Sequence, residues 1–241
     1  MYSSIANSNL PRWLLPPALL LAVVGAVRPL EVYLLPPATA PSAALAGSGG
    51  TLALLGGMRT VLAGGFWLRT NLAWERHDEA KVMALLHLTV AADERPLHFW
   101  FNGARMIAYD LPEWRSVGAP AAVRQRRKDE QAQAAIAFLE RGQAARGPSA
   151  EFFVEMANIR LRALGDREGA AQLFRKAAEQ PGAPYYAARI HAELMLELGR
   201  PVEALAWLRQ ILPGLPTDDP AAQRAVVLER IKGLEQAVTR K

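Results

Sequence analysis

The sequence predicts an all-α fold: an α-solenoid of about four helix-turn-helix units and a C-terminal capping helix, preceded by one N-terminal hydrophobic helix. Two observations predict it. A stretch of seven residues recurs 34 positions downstream with its breakers in register, and apolar residues from Arg59 onward follow helical rather than strand spacing. A third, the uncharged run Trp13 to Val27 between Arg12 and Arg28, sets the N-terminus apart.

That run has fifteen residues. As helix it rises about 22 Å, short of the ~30 Å hydrocarbon core of a bilayer. Two readings stay open for residues 1–28. In a signal anchor, Arg12 and Arg28 snorkel and Pro29 to Leu35 lies along the interface. In a cleaved signal peptide, Val24-Gly25-Ala26 supplies the small residues of the cleavage site. The anchor places the chain in a bacterial inner membrane with its repeats outside the cytoplasm, and cleavage frees it into the periplasm. Residues 29–57 read as a Pro/Gly/Ala-rich linker, because Gly47, Gly49, Gly50, Gly56 and Gly57 disfavour helix.

The repeat domain is expected over 58–241, with units at about 63–96, 97–148, 150–184 and 185–218 and a cap at 219–241. Leu164-Gly165-Asp166-Arg167-Glu168-Gly169-Ala170 is answered by Leu198-Gly199-Arg200-Pro201-Val202-Glu203-Ala204. Gly165 and Gly199 are placed to end a first helix with φ above zero. Asp166 caps the second helix, and Pro201 sits at the first position of its counterpart. Ala170 and Ala204 allow close helix approach; Phe174 and Leu208 fill the space between units; Pro181 and Pro216 stop the second helix.

Upstream the unit is degraded. Trp67 to Arg76 and Glu79 to Ala92 form one predicted pair. Leu97 to Asp110 pairs with Glu130 to Ala145 across an insertion, Leu111 to Asp129, which carries Pro112, Pro120 and a basic run. Asp219 and Pro220 open the last helix, Ala221 to Val238, whose mixed charge suits a solvent-facing cap.

This arrangement of first helix, glycine, second helix with small residue and aromatic, then proline resembles the tetratricopeptide repeat (TPR). With Trp67-Leu68-Arg69, Trp100 and Ala108-Tyr109, the chain resembles bacterial membrane-anchored TPR proteins, departing from their pattern at Glu94, where a proline follows the aspartate. The resemblance implies binding of a protein or peptide on the face built by the first helices. In that register the groove collects Phe152, Glu155, Ile159, Tyr186, Arg189 and Glu193.

Chemistry beyond binding finds little footing. There is no cysteine, which removes thiolate catalysis and cysteine-ligated zinc. His77, His87, His98 and His191 lack metal-ligand spacing, and the glycine pairs lack the Lys-Ser/Thr of a phosphate loop. Adjacent Asp218-Asp219 before Pro220 read as helix caps. No enzyme activity, cofactor or metal is expected. Net charge is +5, but the basic residues are dispersed among acids, and nucleic acid is not an expected partner. The exception is Arg124, Arg126, Arg127 and Lys128, read as a solvated loop or as a contact for anionic lipid or an acidic protein. The envelope assembly served, a scaffold's partner or an enzyme or transporter that the chain supports as a subunit, is not named by the sequence.

Overall fold

The computed structural model describes residues 59–114, 116 and 118–239, and these are helices joined by turns, with no strand among the described residues. The predicted N-terminal hydrophobic helix and the linker lie outside them. Among the described residues no helix is long and apolar enough to cross a membrane. Expected as one repeat domain, the chain divides after Phe99. The division falls inside a helix whose later residues pack with more C-terminal helices.

In the first unit, α1 (Arg59–Glu75) and α2 (Glu79–Ala92) form a hairpin. Asp78 caps α2 by accepting from the Lys81 amide at 3.1 Å, and Leu62, Phe66, Val82, Leu85 and Leu86 are buried. α2 keeps its predicted bounds, whereas α1 starts two turns before the expected Trp67. Burial of Leu62, Ala63, Gly65 and Phe66 outweighs the roughly 1 kcal/mol that each glycine costs a helix.

Glu94 stands where a proline was expected, and the turn is fixed by other means. Asp93 is 3% exposed. Its carboxylate accepts from Arg95 Nε at 2.8 Å, Arg95 Nη2 at 3.0 Å and Thr60 Oγ1 at 2.7 Å. The Arg95 guanidinium holds the Asp93 carboxyl well below the usual carboxylate range.

α3 (Leu97–Arg105) passes without interruption through a π-helical turn, Met106–Asp110, into α4 (Leu111–Trp114). The helix was expected to end at Asp110, with Pro112 inside an insertion. The wide turn explains the continuation. The Leu111 amide reaches back to the Met106 carbonyl, which loosens the backbone where the Pro112 ring would otherwise meet a carbonyl one turn earlier.

α5 (Ala121–Arg146, 26 residues) also departs from expectation. It was expected from Glu130, with the basic run in a loop, but it begins directly after Pro120, and the basic run is helical. The Pro120 carbonyl accepts from Val123 and Arg124, both at 3.0 Å. Side-chain pairs one turn apart, Gln125 to Asp129 and Arg126 to Glu130, support the added turns.

The remaining helices are α6 (Ala150–Arg162), α7 (Arg167–Ala178), α8 (Tyr185–Glu197), α9 (Pro201–Ile211) and α10 (Arg224–Thr239). Here the local signals act as expected. Gly165 and Gly199 take φ of 65° and 74°, conformations that a Cβ would strain. Asp166 accepts from the Gly169 amide at 2.8 Å, which lowers its pKa. Ala170 and Ala204 are fully buried, and Phe174 and Leu208 are 1% exposed.

Two ends differ. α9 stops at Ile211, before a 3-10 turn that contains Pro213, so Pro216 is not its breaker. The last helix was expected from Ala221; instead Asp219 caps a 3-10 turn, Pro220–Ala222, and Gln223 at φ 48° resets the chain before α10. Val227 and Ile231 of α10 are buried against α9.

Candidate functional site

The six residues expected to line one groove are divided by the structure. Phe152 and Ile159 are fully buried and Glu155 is 6% exposed, so α6 spends these positions on packing. Phe152 meets Phe101 edge to face at 5.3 Å. Glu155 receives a two-pronged ion pair from Arg105 of α3, with Nε to Oε1 and Nη2 to Oε2 both 2.7 Å. A carboxylate so enclosed needs that guanidinium, because an unpaired charge away from water is unfavourable by several kcal/mol. Tyr109, half-buried beside the pair, has its pKa raised by that burial.

On α8 the expected residues are engaged by the C-terminal elements. Arg189 donates to the carbonyls of Ala221 and Ala222 at 3.3 and 3.1 Å, and Glu193 pairs with Arg230 of α10. Only Tyr186 of the six is exposed, at 44%. The expected groove is therefore largely internal packing. Its register followed the repeat, but α3 and α10 occupy the faces that the register left open.

An open concavity lies elsewhere, where α7, α8 and α9 meet. It is a cleft of about 310 Å³, near the lower limit for pockets that hold a small ligand or an anchoring side chain. His191, Met195 and Trp207 line its inner part, each no more than 6% exposed. His191 Nδ1 lies 2.8 Å from the Ala171 carbonyl. A carbonyl only accepts, so Nδ1 carries the hydrogen. Trp207 Nε1 donates to the Ala188 carbonyl at 2.9 Å, and the two rings meet at 4.9 Å and 75°. Burial lowers the imidazole pKa and favours the neutral ring.

The rim is charged but internally balanced. Arg200 joins Glu168 at 2.9 Å and Arg175 joins Glu179 at 2.9 Å. The Arg175 guanidinium also lies 5.4 Å from the Trp207 ring centre. No group of three metal-ligating side chains exists among the described residues. The cleft offers an aromatic and thioether floor under polar edges, an arrangement for recognition.

Sequence reasoning gave His191 a structural role, which its bond to Ala171 supports, and missed Arg175, Met195 and Trp207 as neighbours. The available signal was the isolated Trp207 three residues after Ala204. Its partners 19 and 32 residues upstream could not be read from helical spacing alone. The basic residues occupy the beginning of α5, where Arg126 pairs with Glu130 and Lys128 with Glu113, both at 2.8 Å.

The tetratricopeptide repeat family model matches residues 161–227, which begin late in α6 and end early in α10. No curated protein and no solved structure matches the chain. The matched segment contains both glycine turns, the hairpin of α8 and α9 and the whole of the cleft lining. Residues 161–227 are thus similar to tetratricopeptide repeats, and the rest of the chain lies outside the match.

Proposed function

We propose that the chain is a membrane-tethered, non-catalytic scaffold that binds a protein partner within a bacterial envelope assembly, and that the cleft of α7, α8 and α9 is its docking point. Tetratricopeptide repeats typically bind protein partners, and they are typically non-catalytic. The observation that carries the reading is the coincidence of the matched segment with an open cleft whose floor is aromatic and whose rim charges are already paired. Such a floor takes an apolar side chain presented by a peptide or helix. Trp and Arg are the types most often found at interface hot spots.

The tether rests on the uncharged run Trp13 to Val27, and the extracytoplasmic placement depends on it. A photoreactive residue at Gln172 or Gln210, both on the cleft lining, is expected to crosslink the full chain to a discrete protein in intact membranes. Ala206→Trp, which fills the cleft mouth, abolishes that adduct. Crosslinking unaffected by Ala206→Trp would move the docking point away from the cleft. Resistance of the chain to carbonate extraction checks the tether, and recovery of a mature chain free in the periplasm would replace it with signal cleavage.

A second reading, a structural subunit of an envelope enzyme, secretion or transport complex, has one observation in its favour. Val61, Leu68 and Leu72 of α1 fall on one helical face and are 39%, 42% and 50% exposed. An apolar stripe of this kind suits a permanent interface. Leu68→Glu with Leu72→Glu separates the two readings: release of a stoichiometric partner assigns the chain to an obligate complex, and unchanged complex size leaves it a scaffold.

A further inference from the structure

The beginning of α5 projects past its core. Ala121 to Arg126 are exposed, Arg127 to Asp129 are half-buried with Lys128 paired to Glu113 of α4, and the first buried residue is Ala132; the helical rise makes the exposed stretch roughly 9 Å long. Arg124, Arg127 and Lys128 recur at spacings of three and four and share a face, while Asp129 falls on the opposite side. Val123 borders that face and is 47% exposed.

The helix itself does not favour these cations. Its N-terminal end carries partial positive charge, so a cation at the first turn, as Arg124 is, is disfavoured by tenths of a kcal/mol, whereas a cation at the other end of α5 would be favoured. The Arg126 to Glu130 pair is exposed on both sides and is readily exchanged for another anion.

We propose that this arm docks on an anionic lipid surface, with Arg124 and Arg127 at headgroup phosphates and Val123 entering the interface. The shape and composition of the arm favour lipid over an acidic protein. The charges lie along a protruding helix rather than in a groove. Ala121 to Glu130 contains no aromatic residue to anchor a desolvated protein interface or to stack on a nucleic-acid base. Long basic side chains flanking a single apolar residue match the interfacial pattern. The proposal holds whether the N-terminal segment anchors the chain or is cleaved.

The test uses the absence of cysteine. Val123→Cys in the full chain takes one environment-sensitive fluorophore, read against the same label at Gly233→Cys on α10. Vesicles of phosphatidylcholine with phosphatidylglycerol are expected to blue-shift the Val123 label, and pure phosphatidylcholine or high salt reverses the shift. Arg124→Gln with Arg127→Gln raises the lipid concentration at half-response about thirtyfold, from two charges near an anionic surface. Arg124→Lys with Arg127→Lys retains the response, which separates charge from folding. An equal shift on neutral vesicles, or a half-response unmoved by the double Gln change, overturns the proposal. A shift with polyglutamate but not with anionic vesicles would reassign the arm to an acidic protein.

Discussion

Gly142→Ala tests the packing of the second unit where two opposing effects have comparable size. Gly142 lies inside α5, and alanine in a helix interior ordinarily stabilises by about 0.5–1 kcal/mol over glycine. Here the added Cβ would stand 2.7 Å from Phe152 Cε1 and 2.8 and 2.9 Å from Trp100 Cδ2 and Cε3. Neither ring has an easy retreat: Phe152 is fully buried against Phe101, and Trp100 is 3% exposed with Phe138 at 4.9 Å. Overpacking of such a core costs about 1–3 kcal/mol. The clash therefore exceeds the helix gain, leaving a net loss of about 1–2 kcal/mol, or roughly 3–6 °C in Tm for a chain of this length. Gly233→Ala is the matched control, since nothing lies within 4 Å of its added Cβ, and it should stabilise by about 0.5–1 kcal/mol. Thermal and urea unfolding followed by circular dichroism measure both. A Gly142→Ala protein as stable as the parent, or more so, would refute the ring placement around this glycine.

Arg105→Met should destabilise by about 2 kcal/mol because Glu155 loses its partner, whereas Arg105→Met with Glu155→Met should recover most of the loss; a double-mutant cycle in urea decides it. Ala204→Leu should lose about 1–3 kcal/mol by forcing α8 and α9 apart, with hydrogen exchange rising first toward the C-terminus rather than uniformly. Acidification should weaken the fold in two stages, measured as the urea midpoint against pH. Burial depresses the folded pKa of His191, so the unfolded chain takes up its proton first: stability is full above the ordinary 6.5 and declines below it, and His191→Gln should flatten that limb. Asp93 is also depressed, so its stabilisation is present above the ordinary 3.8 and lost as pH falls further, a limb that Asp93→Asn should remove.

Much of the C-terminal architecture was legible because its signals act within a few residues. The left-handed conformations of Gly165 and Gly199, the Asp166 cap and the buried Ala170 and Ala204 all arise from the backbone geometry of one hairpin. Repetition at 34 residues then carried that reading to the next hairpin. Where the local rules competed, they misled. The glycines of α1, Pro112 and the cations of α5 each argue against helix, yet helix forms at all three, through burial, a π-helical turn and a proline-initiated start.

What each helix face meets was decided only in three dimensions. The register named Phe152, Glu155 and Ile159 as a surface, but Arg105, 50 residues upstream of Glu155, helps enclose it. The cleft likewise depends on Arg175, His191 and Trp207 arriving from three helices. Helical periodicity records which residues share a face; it does not record which neighbour covers that face, because the burial free energy belongs to both surfaces jointly.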